Sequence, residues 1–133
     1  MNTNKCIVAS IAAAVFLFIY GWVVYGFLLA DYLARIAPAG MMLPPGSENV
    51  GLIALGCLVQ GFALCLIFVK GREGLGLMEG VRFGLLVGVF LLGVYVLMAG
   101  ISPYTIRSAL TFAIIDTIMY MGAGVVIAAL YKQ

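Results

Sequence analysis

The chain has 133 residues, of which 65% are apolar and only 9% charged, with seven Lys and Arg against five Asp and Glu and no His. Soluble domains carry about 25% charged residues, and a domain this small leaves too much surface exposed to hide the apolar excess, so a water-soluble fold is excluded. The net charge of +2 is too small and too scattered for nucleic acid, and the missing His removes the usual general base and the commonest metal and haem ligand.

What remains is an integral membrane protein of one domain, with the lipid bilayer as its first partner. Met1 to Lys5 is a short polar start. Cys6 to Ala30 is a run of twenty-five residues without a charge, too long for the ~7–15-residue apolar core of a signal peptide. It reads as a retained span. Asp31 and Tyr32 close it, with Arg35 just beyond. Residues 31–49 hold Pro38, Pro44, Pro45, Gly40 and Gly46, which break helices, and read as a loop at the membrane surface.

Val50 to Val69 is the second span, closed by Lys70, Arg72 and Glu73. The third covers about residues 81–100, with Glu79 and Arg82 three apart at its start, near enough for a local ion pair. Ser102-Pro103 has the pattern of an N-cap followed by Pro at the first helical position. A fourth helix is therefore expected from about Pro103, with its lipid-buried part over 109–131. The fold class is all-α: an antiparallel bundle of four transmembrane helices. Lys5, Lys70, Arg72, Arg82 and Lys132 fall on one side and Arg35 and Arg107 on the other. The larger cationic count predicts that both termini are cytoplasmic and that the Pro-rich loop faces outward.

The run G-L-M-E-G-V-R-F-G-L-L-V-G places Gly76, Gly80, Gly84 and Gly88 four apart, as one bare stripe on a helix. Each Gly costs a helix in water about 1 kcal/mol relative to Ala. In lipid such a stripe lets a second helix approach backbone to backbone, whether a helix of the same chain, another copy or a different subunit. Small faces are expected elsewhere too: Ser10, Ala14, Leu17, Gly21 and Tyr25 on the first span, and Gly56, Cys57, Gln60 and Ala63 on the second. On the fourth the face is Ala109, Ala113, Asp116, Tyr120 and Ala123.

Asp116 is the acidic residue well inside a span, about 10 Å from its end at ~1.5 Å per residue. An ionised carboxylate there costs about 2.5–3.5 kcal/mol on insertion scales, so it should face the bundle and find donors. Residues at similar depth are Tyr20, Trp22, Tyr25, Gln60, Tyr95 and Tyr120. Burial among neutral donors favours a carboxyl that carries a proton reversibly. The structural alternative is a hydrogen-bonded knot joining helices. Trp22, Tyr25 and Tyr32 at one end and Tyr131 at the other match the aromatic belts of membrane boundaries.

Of Cys6, Cys57 and Cys65, the last two lie about 12 Å apart along one helix, beyond the ~7 Å Cα limit of a disulfide. All three read as small buried thiols. No G-x-S-x-G, H-E-x-x-H or P-loop is present and no nucleophile has a positioned base. Neither a catalytic residue, a metal ligand set nor a cofactor is expected, and the protein is read as not an enzyme.

With E-G-V-R-F-G-L-L-V-G after Gly76, Y-G-W-V-V-Y-G in the first span and A-A-L-Y-K near the end, the chain resembles small four-span bacterial membrane proteins of unknown function. That resemblance implies a bacterial inner membrane and carries over no site residues. Small multidrug transporters also have four short spans, but their essential acid lies in the first helix, where this chain has none before Asp31. The leading functional expectation is an accessory or scaffold subunit that packs with a larger membrane complex or as a homo-oligomer. The alternative is a proton-coupled carrier of a small solute using Asp116.

Overall fold

A computed structural model describes residues 2–44 and 46–131. Pro45 and Lys132, the latter among the cations counted for orientation, lie outside the described residues. The first long helix, α1 (Thr3–Val23), starts where the Asn2 side chain accepts the Lys5 N–H at 3.1 Å, a standard way of satisfying an orphan donor of the first turn. It runs into a π-helical turn, Val24–Leu28, closed by Leu29 N donating to Val24 O at 2.9 Å. No Pro forces this change of pitch, and nothing in the sequence announced it.

The short α2 (Ala30–Ile36) occupies the start of the stretch read as loop. Asp31 lies in its first turn and Arg35 in its last, the arrangement the helix dipole favours, and the fully buried Leu33 pins it to the bundle. Then come α3 (Val50–Lys70), α4 (Leu77–Ile101) and α5 (Ile106–Leu130). The Ser102-Pro103 start expected for the last helix is not used. Ser102 instead closes α4, its Oγ donating to Met98 O at 2.6 Å. Thr105 is the N-cap of α5, accepting from Ser108 N at 3.1 Å, because a side chain that reaches the exposed N–H outweighs a Pro that merely tolerates its absence.

Among the described residues, four helices are long and apolar enough to cross a membrane, with mean hydropathies of 2.4, 2.6, 2.4 and 1.9 in chain order. The last is the least apolar and the most enclosed: half of its span is buried, against 11% for α4. α5 is thus the central rod. α4 lies along one side of it and α1 along another, while α3 packs mainly on α1 and touches α5 more lightly. The Glu79 carboxylate does not turn to Arg82. It accepts the N–H groups of Glu73 at 2.5 Å and of Gly74 and Leu75 at 3.1 Å, fastening the α3–α4 turn to α4.

The glycine stripe is spent inside the chain. A Cβ at Gly80 would strike the Gly124 backbone, one at Gly84 the backbone of Tyr120 and Met121, and one at Gly88 the Thr117 side chain. Gly76 is not part of this contact; it stands before α4 with φ +68° and meets nothing. On α1 the buried face is Cys6, Ala9, Ser10, Ala13, Ala14 and Leu17, while Gly21 faces open space. On α3 the buried residues are Gly61, Leu64, Cys65 and Phe68 rather than the face through Gly56 and Ala63. Gly61 sits against α1, where an added Cβ would lie 3.0 Å from Ala14 N.

α3 and α4 meet near their shared turn, where the Phe68 and Phe83 rings sit edge to face at 5.5 Å, but they do not close along the rest of their length. Between them runs a groove of about 500 Å³ lined by Gln60, Leu64, Phe83, Val87, Phe90 and Tyr120 among others. At the end that gathers both termini, Tyr131 ties the chain together. Its hydroxyl accepts Asn2 N at 2.9 Å, its carbonyl accepts Arg72 Nη1 at 2.6 Å, and the Arg72 guanidinium lies 5.5 Å from its ring centre.

Candidate functional site: a carboxylate shared by two phenols

Asp116 sits midway along the α5 face that also carries Phe112, Ala113 and Tyr120, and is 8% exposed. Both carboxylate oxygens are taken by phenols from other helices rather than by Lys or Arg. Tyr25, presented by the π-helical turn, donates to Oδ1, and Tyr95 of α4 donates to Oδ2 at 2.5 Å. π-helical turns occur mostly as single interruptions within α-helices and are frequent at functional sites. Here the turn carries the residue that reaches the acid.

An aromatic lid covers the side of the carboxylate nearer α2. The Tyr25 and Phe112 rings stack at 6.2 Å with an interplanar angle of 5°, and Tyr95 lies 6.0 Å from Phe112. Tyr104, in the α4–α5 connection, closes the group at 6.1 Å from Phe112 and 6.4 Å from Tyr95. Its hydroxyl reaches Met41 Sδ at 2.8 Å, drawing the Pro-rich loop over the lid. Burial, and then the Asp116 charge, push the Tyr104 phenol above its ordinary range. Beneath the lid, Ser108 donates to Ile36 O and seats α2 on α5.

The residues expected at this depth fall into two groups. Tyr25 and Tyr95 meet at Asp116. Tyr20 lies beside them but donates to Ile115 O at 2.9 Å. Tyr120, one turn from Asp116, points the other way and donates to Gln60 Oε1 at 3.2 Å, joining α5 to α3 at the groove. Trp22 is 59% exposed and faces outward. Phe112, Tyr104 and the π-helical turn were missed. Phe112 lies one turn before Asp116 on the same face, a spacing that marks it as a neighbour.

Chemically the arrangement can hold a negative charge in an apolar setting: with Asp116 ionised, both hydrogen bonds are charge-assisted, each about twice as strong as its neutral counterpart. Placing a proton on Asp116 turns an acceptor-only group into one that must also donate. Both phenol contacts then weaken together. Among the described residues no three His, Cys, Asp or Glu come together.

The fold and this site define a class: a four-span, all-α membrane protein with a buried acid at its centre. Comparison with protein-family models, with curated proteins and with solved structures gives no match.

Proposed function

We propose that the protein is a non-enzymatic integral membrane protein of a bacterial inner membrane, with both termini cytoplasmic. It couples a proton on Asp116 to the movement of a small solute at the outward end. The single observation behind this reading is how α4 is held. Its first half is locked to α5 at Gly80, Gly84 and Gly88, whereas a Cβ added at Gly93 or Gly100 would meet nothing within 4 Å. Beyond Gly88 the polar tie to the rest of the bundle is Tyr95 on Asp116, and the same carboxylate holds Tyr25. Protonation loosens both phenols at once and frees the outward halves of α1 and α4 to part, which is the kind of bistable element a proton-driven carrier needs.

The test is Asp116→Asn in the purified protein reconstituted into vesicles. Asn keeps the size and an acceptor but carries no titratable proton. The expected result is that pH-driven solute uptake, screened across small solutes, vanishes while the variant extracts and runs on a sizing column as the native protein does. Uptake that survives in the variant with the same pH dependence defeats the proposal.

The accessory-subunit reading is supported by a different observation, the unclosed groove between α3 and α4. It no longer draws on the glycine stripe, which the chain uses on itself. Gentle extraction from native membrane followed by identification of co-purifying chains separates the two. A stoichiometric partner that persists with Asp116→Asn favours the subunit.

A further inference from the structure

The thiols of Cys6 and Cys65 lie 3.0 Å apart, sulfur to sulfur, although 59 positions separate them in the chain. Cys6 closes the first turn of α1 and Cys65 faces it from α3; they are 5% and 0% exposed, and neither is in a disulfide. A disulfide bond is about 2.05 Å long, so closure asks the two sulfurs, on helices already in contact, to approach by about 1 Å. Near the pair Gly61 lets the α3 backbone settle on α1 at Ser10 and Ala14, which fixes the two helices in the register that brings the sulfurs together. Ser10, one turn beyond Cys6 on the same face, is fully buried, and its hydroxyl has no hydrogen-bond partner among the described residues.

We propose that Cys6 and Cys65 form an oxidisable dithiol, whose disulfide clamps α3 to α1, and that the oxidant is a hydroperoxide. One thiolate attacks the peroxide oxygen. The O–O bond breaks, a sulfenic acid forms on that sulfur, and the alcohol or water leaves with the proton. The second thiol then attacks the sulfenic sulfur, the S–O bond breaks, the S–S bond forms and water leaves. Two thiols are oxidised by two electrons and one peroxide is reduced. Burial makes the first step slow, and it proceeds when the first turn of α1 frays, since terminal turns open at low cost. The second step is fast because the partner is already in place. The device acts through α3, whose main support is α1, and stands independently of Asp116.

The test uses the full chain in lipid nanodiscs treated with hydrogen peroxide, then denatured and labelled with a maleimide before intact-mass measurement. The untreated protein takes up three labels, one per cysteine. The treated protein is expected to take up one, to be two hydrogens lighter, and to regain all three after reduction. Peptide mapping should place the bridge between Cys6 and Cys65. Cys57→Ser should leave the bridge intact, whereas Cys6→Ser should keep its remaining thiols open or carry them to higher oxides. Three labels after peroxide, or a bridge that involves Cys57 or a second copy, overturns the proposal.

Discussion

At the scale of single residues, the informative contrast is between groups at equal depth that meet Asp116 and groups that do not. Depth is readable from a sequence because each residue of a helix advances a fixed distance. Angle is readable only where the helix keeps its period, and at Tyr25 it does not: the π-helical turn at Val24–Leu28 resets the direction of everything after Val23. Tyr120 shows the other difficulty. It sits one turn from the acid, yet Gln60 of α3 competes for its hydroxyl and wins it. Asp116 was legible because a carboxyl in lipid must find donors; the identity of its donors depended on which helices flank α5. Removing one donor should be costly in proportion to what it leaves unpaired. Tyr95→Phe is expected to lower stability to unfolding in detergent by about 1–3 kcal/mol, the usual penalty for orphaning a buried acceptor. In the Asp116→Asn background the same change should cost much less, and a double-mutant cycle measured by denaturant titration gives the coupling directly. Additive effects would show that the phenol and the carboxyl do not act together.

At the scale of elements, small residues decided which helices touch, though only in part could they be sorted beforehand. In lipid the outer face of a helix is as apolar as its inner face, so hydrophobicity does not point inward and close packing takes over. On α4 the repeat of four was long enough to be unambiguous. On α3, Gly56 and Gly61 both offered a bare patch, and the one chosen was that which fits under Ser10 and Ala14 of α1. The same logic makes a sharp test on α4. Gly84→Ala should destabilise the protein by about 1–3 kcal/mol, as overpacking does, because the new methyl meets the Tyr120 and Met121 backbone, which cannot swing aside. Gly93→Ala, where nothing lies within contact range, should be neutral or slightly stabilising, since Ala is the better helix former. Thermal melts of the two variants in one detergent decide it; equal losses would mean that α4 does not rest on α5 in the membrane.

For the molecule as a whole, the four spans followed from composition and length, while their spatial order did not. Short connections between spans set antiparallel neighbours in chain order, yet α3 and α4, joined by a tight turn that Glu79 fastens, meet edge to face at Phe68 and Phe83 and leave an open groove beyond. α5 takes the centre because it carries the alanines that α1 can approach, the glycine and threonine that α4 needs, and the one acid that must be enclosed. The cation bias gives the orientation its own test. In a variant with its native cysteines replaced, single cysteines at Glu48 and Glu73 should be labelled by an impermeant maleimide from opposite sides of intact cells, Glu48 from outside. Labelling of both from the same side would contradict a four-span topology, and Glu73 from outside would invert it.

The crossing of α4 and α5 at Gly80 and Gly124 has a consequence for how this chain can change over time. A methyl on either residue collides with the main-chain carbonyl of the other, so the obstacle at each position is something every amino acid possesses. A second substitution opposite therefore offers no relief, unlike a bulky pair in an ordinary core, where one side shrinks as the other grows. Descendants of this sequence can reach a different crossing there only by moving a helix axis, and the glycine stripe on α4 makes that movement cost contacts at two further turns.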